Sequence, residues 1–124
     1  MAGKRLAPVF TQNFAENLEA IRTFLGDEVR PTFDQLVDRV LDDVVPTLCR
    51  FPFSGRSFLT HPIRSLEARS AVRRLKRALQ PSDNLREFIL DEYLLLYLVR
   101  RDQMIFLSIK HHRQLSFDLP RFWP

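Results

Sequence analysis

Between Leu85 and Ile109 three strand-length apolar segments follow one another with only two residues between each: Leu85–Leu90 (LREFIL), Tyr93–Arg100 (YLLLYLVR) and Gln103–Ile109 (QMIFLSI). Parallel neighbours need a crossover of a dozen or more residues, so links this short predict an antiparallel three-strand meander. The links, Asp91-Glu92 and Arg101-Asp102, lack the glycine that most favours a two-residue turn. The middle segment is apolar on both faces, which requires helices over one side of the sheet and other cover on the second.

The helices come earlier in the chain. Phe14, Leu18, Ile21 and Leu25 recur at helical spacing, and Gly26 is placed to cap the end. A second helix is expected from Thr32, with Gln35 in the capping-box position. Phe33, Leu36, Val37, Val40, Leu41 and Val44 give it a broad apolar stripe, and Asp34, Asp38, Asp42 and Asp43 a solvated face. Pro46 and the run Arg50–Arg56 (RFPFSGR) are expected to end it. Arg5–Thr11 reads as a short strand that Pro8 confines to an edge. Ser65–Leu79 reads as a basic helix, with Ala68, Val72, Leu75 and Leu79 on one line and Arg69, Arg73, Arg74, Lys76 and Arg77 around it. The expectation is one α+β domain over residues 1–124: an N-terminal strand and helical hairpin, an additional basic helix, and the C-terminal meander.

Charge is unevenly spread. Residues 1–60 carry 7 basic and 8 acidic side chains, residues 61–124 carry 12 and 7. A basic half suits an acidic or polyanionic partner. The 3 glycines leave no glycine-rich phosphate loop. Cys49 is the lone cysteine, which excludes an internal disulfide, and its FPF neighbourhood suggests a buried thiol. No secretion signal is evident at the start and no apolar run is long enough for a membrane span, so a cytoplasmic protein is expected.

The stretch IFLSIKHHRQ, Ile105–Gln114, concentrates titratable groups behind a strand. Strict alternation would put Ile105, Leu107, Ile109 and His111 on one face and Phe106, Ser108, Lys110 and His112 on the other. His61, His111 and His112 are the only histidines, too few convergent ligands for a metal centre, and no cofactor is implied. Ser108 has no nucleophile elbow around it. RNA cleavage is easier to assemble, because the ribose supplies its own nucleophile. Arg86, Arg100 and Arg113 have the planar fork for phosphate, and His112 is suited to proton transfer.

Leu85–Gln114 resembles the C-terminal meander of the RelE/ParE superfamily, the toxins of bacterial type II toxin–antitoxin pairs. The matching elements are Arg86-Glu87-Phe88, Tyr93 with Tyr97-Leu98-Val99, and Ile105 to Ile109 running into His111-His112-Arg113. Pro52-Phe53-Ser54-Gly55-Arg56 resembles the family's P-x-x-G-R element, and the N-terminal strand and helical pair match in order. The basic helix between Arg56 and Leu85 departs from many relatives. The resemblance implies a cognate antitoxin, wrapping the hydrophobic helices and basic face. The ParE-like branch acts on DNA gyrase by binding; the RelE-like branch cleaves mRNA in the ribosome. The I-x-x-L-x-I-K-H-H-R ending looks more like ParE. On that reading Arg56, Arg69, Arg73, Arg77, Lys110 and Arg113 are contacts to target or antitoxin. On the nuclease reading Arg86, Arg100, His112 and Arg113 are catalytic. A third reading is a small nucleic-acid-binding module using Arg69–Arg77.

Overall fold

A computed structural model describes residues 5–26, 30–57, 73 and 77–111. The elements are β1 (Ala7–Phe10), α1 (Gln12–Leu25), α2 (Arg30–Arg39), a π-helical turn (Val40–Val44), α3 (Val45–Arg50), β2 (Arg56–Ser57), β3 (Asn84–Leu90), β4 (Tyr93–Arg100) and β5 (Gln103–His111). The expected meander forms, and two further strands extend it into a mixed sheet of order β1-β5-β4-β3-β2. β1 lies parallel to β5, with Ala7 opposite Gln103, and β2 lies antiparallel to β3. The fold is α+β, as the segment order predicts.

Both two-residue links make hairpin turns without glycine. Asp91 and Arg101 take φ of 52° and 54°, the sign a type II′ turn needs at its first central residue. Left-handed backbone costs a side-chain-bearing residue roughly 1–2 kcal/mol, so each turn holds local strain.

Thr11 starts α1 and joins it to the sheet. Its hydroxyl accepts the Phe14 N–H at 3.1 Å and donates to the Phe106 carbonyl at 3.0 Å. β1 stops at Phe10, and side chains from the first turns of α1 then satisfy the edge of β5. Asn13 Nδ2 donates to the Leu107 carbonyl, and Asn17 Oδ1 accepts from the Ile109 N–H and the Ser108 hydroxyl. Both asparagines are buried, which fits their role as substitutes for a strand. Phe14 and Ile21 enter the core with Leu18 and Leu25 packed beside them, and Gly26 caps the helix at φ 81°.

The second helix differs from the sequence expectation at both ends. It is already helical at Arg30, so Thr32 lies inside its first turn rather than capping it, and Pro31 falls where a missing N–H is tolerated. It also continues past Pro46 to Arg50. Inside a regular helix, proline loses one hydrogen bond and its ring strikes the carbonyl four residues back. Here the π-helical turn widens the backbone immediately before it, with the Val45 N–H bonded to the Val40 carbonyl. The extra residue rotates the stripe: Leu36, Val40, Val44, Val45, Leu48 and Cys49 are buried, while Leu41 is exposed. The four aspartates are exposed, as expected.

A bulge in β5 corrects the alternation expected there. Leu96 pairs with Ser108 and Tyr97 with Phe106, so Leu107 is the extra residue. Met104, Phe106 and Ile109 therefore all join the helix-side core, with Leu95, Tyr97 and Val99 of β4, instead of Phe106 and Ile109 facing opposite ways. Leu85, Leu96 and Leu98, on the second face by alternation, are buried too.

Candidate functional site

The loop Phe51–Gly55, between α3 and β2, is fixed by two side chains from the sheet. Tyr97, wholly buried in β4, donates its hydroxyl to the Pro52 carbonyl at 2.8 Å and accepts the Gly55 N–H at 3.0 Å. Burial raises the pKa of this phenol, keeping the proton it donates. Arg86, across the strand pair from Tyr97, gives Nε–H and Nη2–H to the Gly55 carbonyl, a longer bond to Phe53 O and one to Asn84 Oδ1. Its guanidinium also lies 5.1 Å from the Phe53 ring centroid. Most of its five donors are thus spent on the loop. Gly55 fits because it has no Cβ: one built there would stand 2.3 Å from the Glu87 carbonyl oxygen. The outcome is a rigid loop that holds Phe51 and Phe53 in solvent.

The Tyr97 hydroxyl is the buried half of this clamp. Tyr97→Phe is expected to lower stability by about 2 kcal/mol, because the Pro52 carbonyl and Gly55 N–H lose a buried partner. A urea titration with an unchanged slope and a lower midpoint measures it.

Arg100 is equally committed. Its Nε and Nη2 hold both carboxylate oxygens of Asp83 at 2.8 and 2.6 Å, and the Asp83 side chain is fully buried. Asp83 also accepts the Gln80 N–H at 2.7 Å, so the pair fastens the Gln80–Asp83 turn to the end of β4. The bonds from Arg100 hold the Asp83 carboxyl below its ordinary value. Arg56 reaches the buried Glu87 carboxylate at 2.8 Å, tying β2 to β3 while its own side chain stays mostly in solvent.

These positions do not converge. Arg86 pairs with Tyr97 and Arg100 follows Val99, so alternation sets the two arginines on opposite faces of the sheet. Lys110 shares the face of Arg100 but pairs with Leu94, six residues along β4, or about 20 Å away. Arg73 and Arg77 are helical and exposed. Arg69, His112, Arg113, His61 and most of the Ser65–Leu79 helix lie outside the described residues. His111 is buried, its ring 5.4 Å from Phe24 and 5.1 Å from Tyr93, with Nε2 2.9 Å from a Glu92 carboxylate oxygen. Cys49 is buried, and burial raises its pKa, so it is a packed thiol. The roles of Asp83, Tyr97, Asn13 and Asn17 escape sequence reasoning. The one available signal is a phenol in the middle of an apolar strand, which needs a partner for its hydroxyl.

What the described residues offer is therefore a braced surface. α1 and the π-helical turn leave Phe24 and Leu41 exposed, the Phe51–Gly55 loop adds two aromatic rings, and arginines border the loop. Among the described residues no helix is long and apolar enough to cross a membrane. Residues 9–116 match the model of a family described as the ParE toxin of type II toxin-antitoxin system, parDE. No curated protein matches the chain.

Proposed function

The chain belongs to the ParE toxin family, the toxin half of type II toxin–antitoxin systems, and from that premise we propose that it acts by binding DNA gyrase and performs no bond chemistry of its own. The observation that carries this reading is the commitment of Arg86 and Arg100. Two of the arginines eligible to hold a scissile phosphate brace the fold instead, and they face opposite ways. The cognate antitoxin is the second partner. Exposed Phe24 and Leu41 support a docking site for it on the helices, and Lys110, on the other face of β5, is proposed as a further contact to antitoxin or target. Arg56, Arg69, Arg73, Arg77 and Arg113 are proposed to supply basic contacts to antitoxin or target, and the cytoplasm is where both are met.

The test is His112→Ala, assayed by growth arrest on expression and by antitoxin pull-down. Binding to gyrase predicts that toxicity survives the change. Loss of toxicity with antitoxin binding intact would assign His112 a proton-transfer role and move the account to ribosome-dependent mRNA cleavage, with Arg113 as the phosphate ligand.

A further inference from the structure

The end of the sheet where β4 turns into β5 carries cations that none of the contacts above uses. The Leu6 N–H donates to the Cys49 carbonyl at 3.0 Å and the Ala7 N–H to the Asp102 carbonyl at 2.9 Å. These two bonds bring their chain neighbours Arg5, Arg50 and Arg101 to one edge of the molecule. All three are exposed, and none makes an ion pair among the described residues. Arg100 beside them is neutralised by Asp83, and Asp102, exposed at the same turn, offsets one of the three charges.

Phe51 stands next to this cluster, 58% exposed, with the Arg50 guanidinium 5.8 Å from its ring centroid. Its backbone is pinned. The N–H donates to the Thr47 carbonyl at 2.8 Å, and its carbonyl accepts from the Ser54 N–H and hydroxyl at 3.1 and 2.7 Å. Arg101 keeps its place at φ 54°, a conformation that glycine adopts without strain. An arginine kept there is a reason to look for use of its charge.

We propose that Arg5, Arg50, Phe51 and Arg101 form a docking surface for an acidic segment of a protein partner, one that carries an apolar side chain among its carboxylates. The inference rests on the reading that the chain acts by binding a protein. Arginine and aromatic side chains dominate the centres of protein interfaces, and a ring on a pinned backbone has only its own side-chain freedom to lose on binding. A nucleic acid suits the surface less well. The Arg50 guanidinium lies over the Phe51 ring and Arg86 over the Phe53 ring, so each ring has one face already taken and closed to a base. Three cations at one edge, with a carboxylate among them, also do not track a phosphate backbone.

The experiment is fluorescence anisotropy with the full chain and two labelled probes: a short peptide of Glu, Asp and Leu, and an oligothymidylate of matched charge. The peptide is expected to bind more tightly. Arg5→Glu/Arg50→Glu/Arg101→Glu should weaken it more than tenfold and Phe51→Ala roughly tenfold, whereas Arg22→Glu on α1 leaves it unchanged. Arg101→Gly separates binding from folding, because it should raise the melting temperature and still weaken the peptide. Equal peptide binding by the wild type and the triple variant, both folded by circular dichroism, overturns the proposal. So does tighter binding of the oligonucleotide through the same residues, which would make this a nucleic-acid surface. If the triple variant binds the peptide as the wild type does while the wild type inhibits gyrase, this surface is rejected and the gyrase reading stands. If the wild type spares gyrase yet binds the peptide through these residues, the surface stands and the gyrase reading falls.

Discussion

Gly55→Ala is expected to lower the stability of the chain by about 3 kcal/mol, the upper end of what overpacking a tight site costs. The added methyl would lie 2.3 Å from the Glu87 carbonyl oxygen and 2.6 Å from the Tyr97 hydroxyl. Neither neighbour can give way cheaply. Glu87 is backbone in a strand paired on both sides, to Arg56 and to Leu96, and the Tyr97 hydroxyl is held between Pro52 and Gly55. Moving the loop instead would pull the Gly55 carbonyl away from Arg86 and expose the guanidinium's unfilled donors. Gly26→Ala is the natural comparison. That glycine has nothing within 4 Å of an added Cβ, but φ 81° with ψ 168° is a conformation essentially reserved for glycine, so its replacement meets backbone strain of about 1–3 kcal/mol and no overpacking. A Gly55→Ala protein with the urea midpoint of the wild type would show that the loop is not clamped as described.

Asp83→Asn is expected to cost about 2–3 kcal/mol at neutral pH. Removing one partner of a buried pair leaves the other charge uncompensated, and the figure is reduced because the Arg100 side chain remains 26% exposed. The pH dependence separates this from a general packing defect. Hydrogen bonds from Arg100 lower the Asp83 pKa in the folded chain from an ordinary value of 3.8. A carboxylate depressed on folding stabilises the protein above its unfolded pKa, and the contribution disappears as pH falls through the folded value. The gap between wild type and Asp83→Asn should therefore be full at pH 7 and shrink below about pH 4. Denaturation curves at both ends of that range measure it. A gap independent of pH would mean that the ionised pair contributes nothing.

The meander was legible because two-residue links leave apolar segments of this length no other arrangement, and because its residues resemble a known family. The stripes of both N-terminal helices were legible for the same kind of reason, a repeat that the helix imposes. What stayed hidden depends on contacts distant in the chain. Nothing in IFLSI marks Leu107 as a bulge; it arises where β1 ends and Thr11, Asn13 and Asn17 replace a strand at the edge of β5. Pro46 reads as a stop, but the apolar stripe on either side of it gains enough by burial for the helix to widen and continue. The candidate arginines were chosen for chemistry, and a guanidinium that can hold a phosphate can equally hold a peptide carbonyl or an aspartate. Only the register, with Asn84 opposite Val99, puts Asp83 within reach of Arg100. Glycine scarcity is informative here: Gly55 stands in the P-x-x-G-R element because a backbone oxygen occupies the space a Cβ would need.

The central claim, that this ParE-family chain acts on gyrase by binding, is tested most directly by incubating the purified, antitoxin-free protein with relaxed plasmid, gyrase and ATP. The account predicts stoichiometric loss of supercoiling with accumulation of linear DNA from trapped double-strand breaks. Unchanged supercoiling by a folded protein that still arrests growth in cells would contradict it and direct attention to mRNA cleavage on the ribosome.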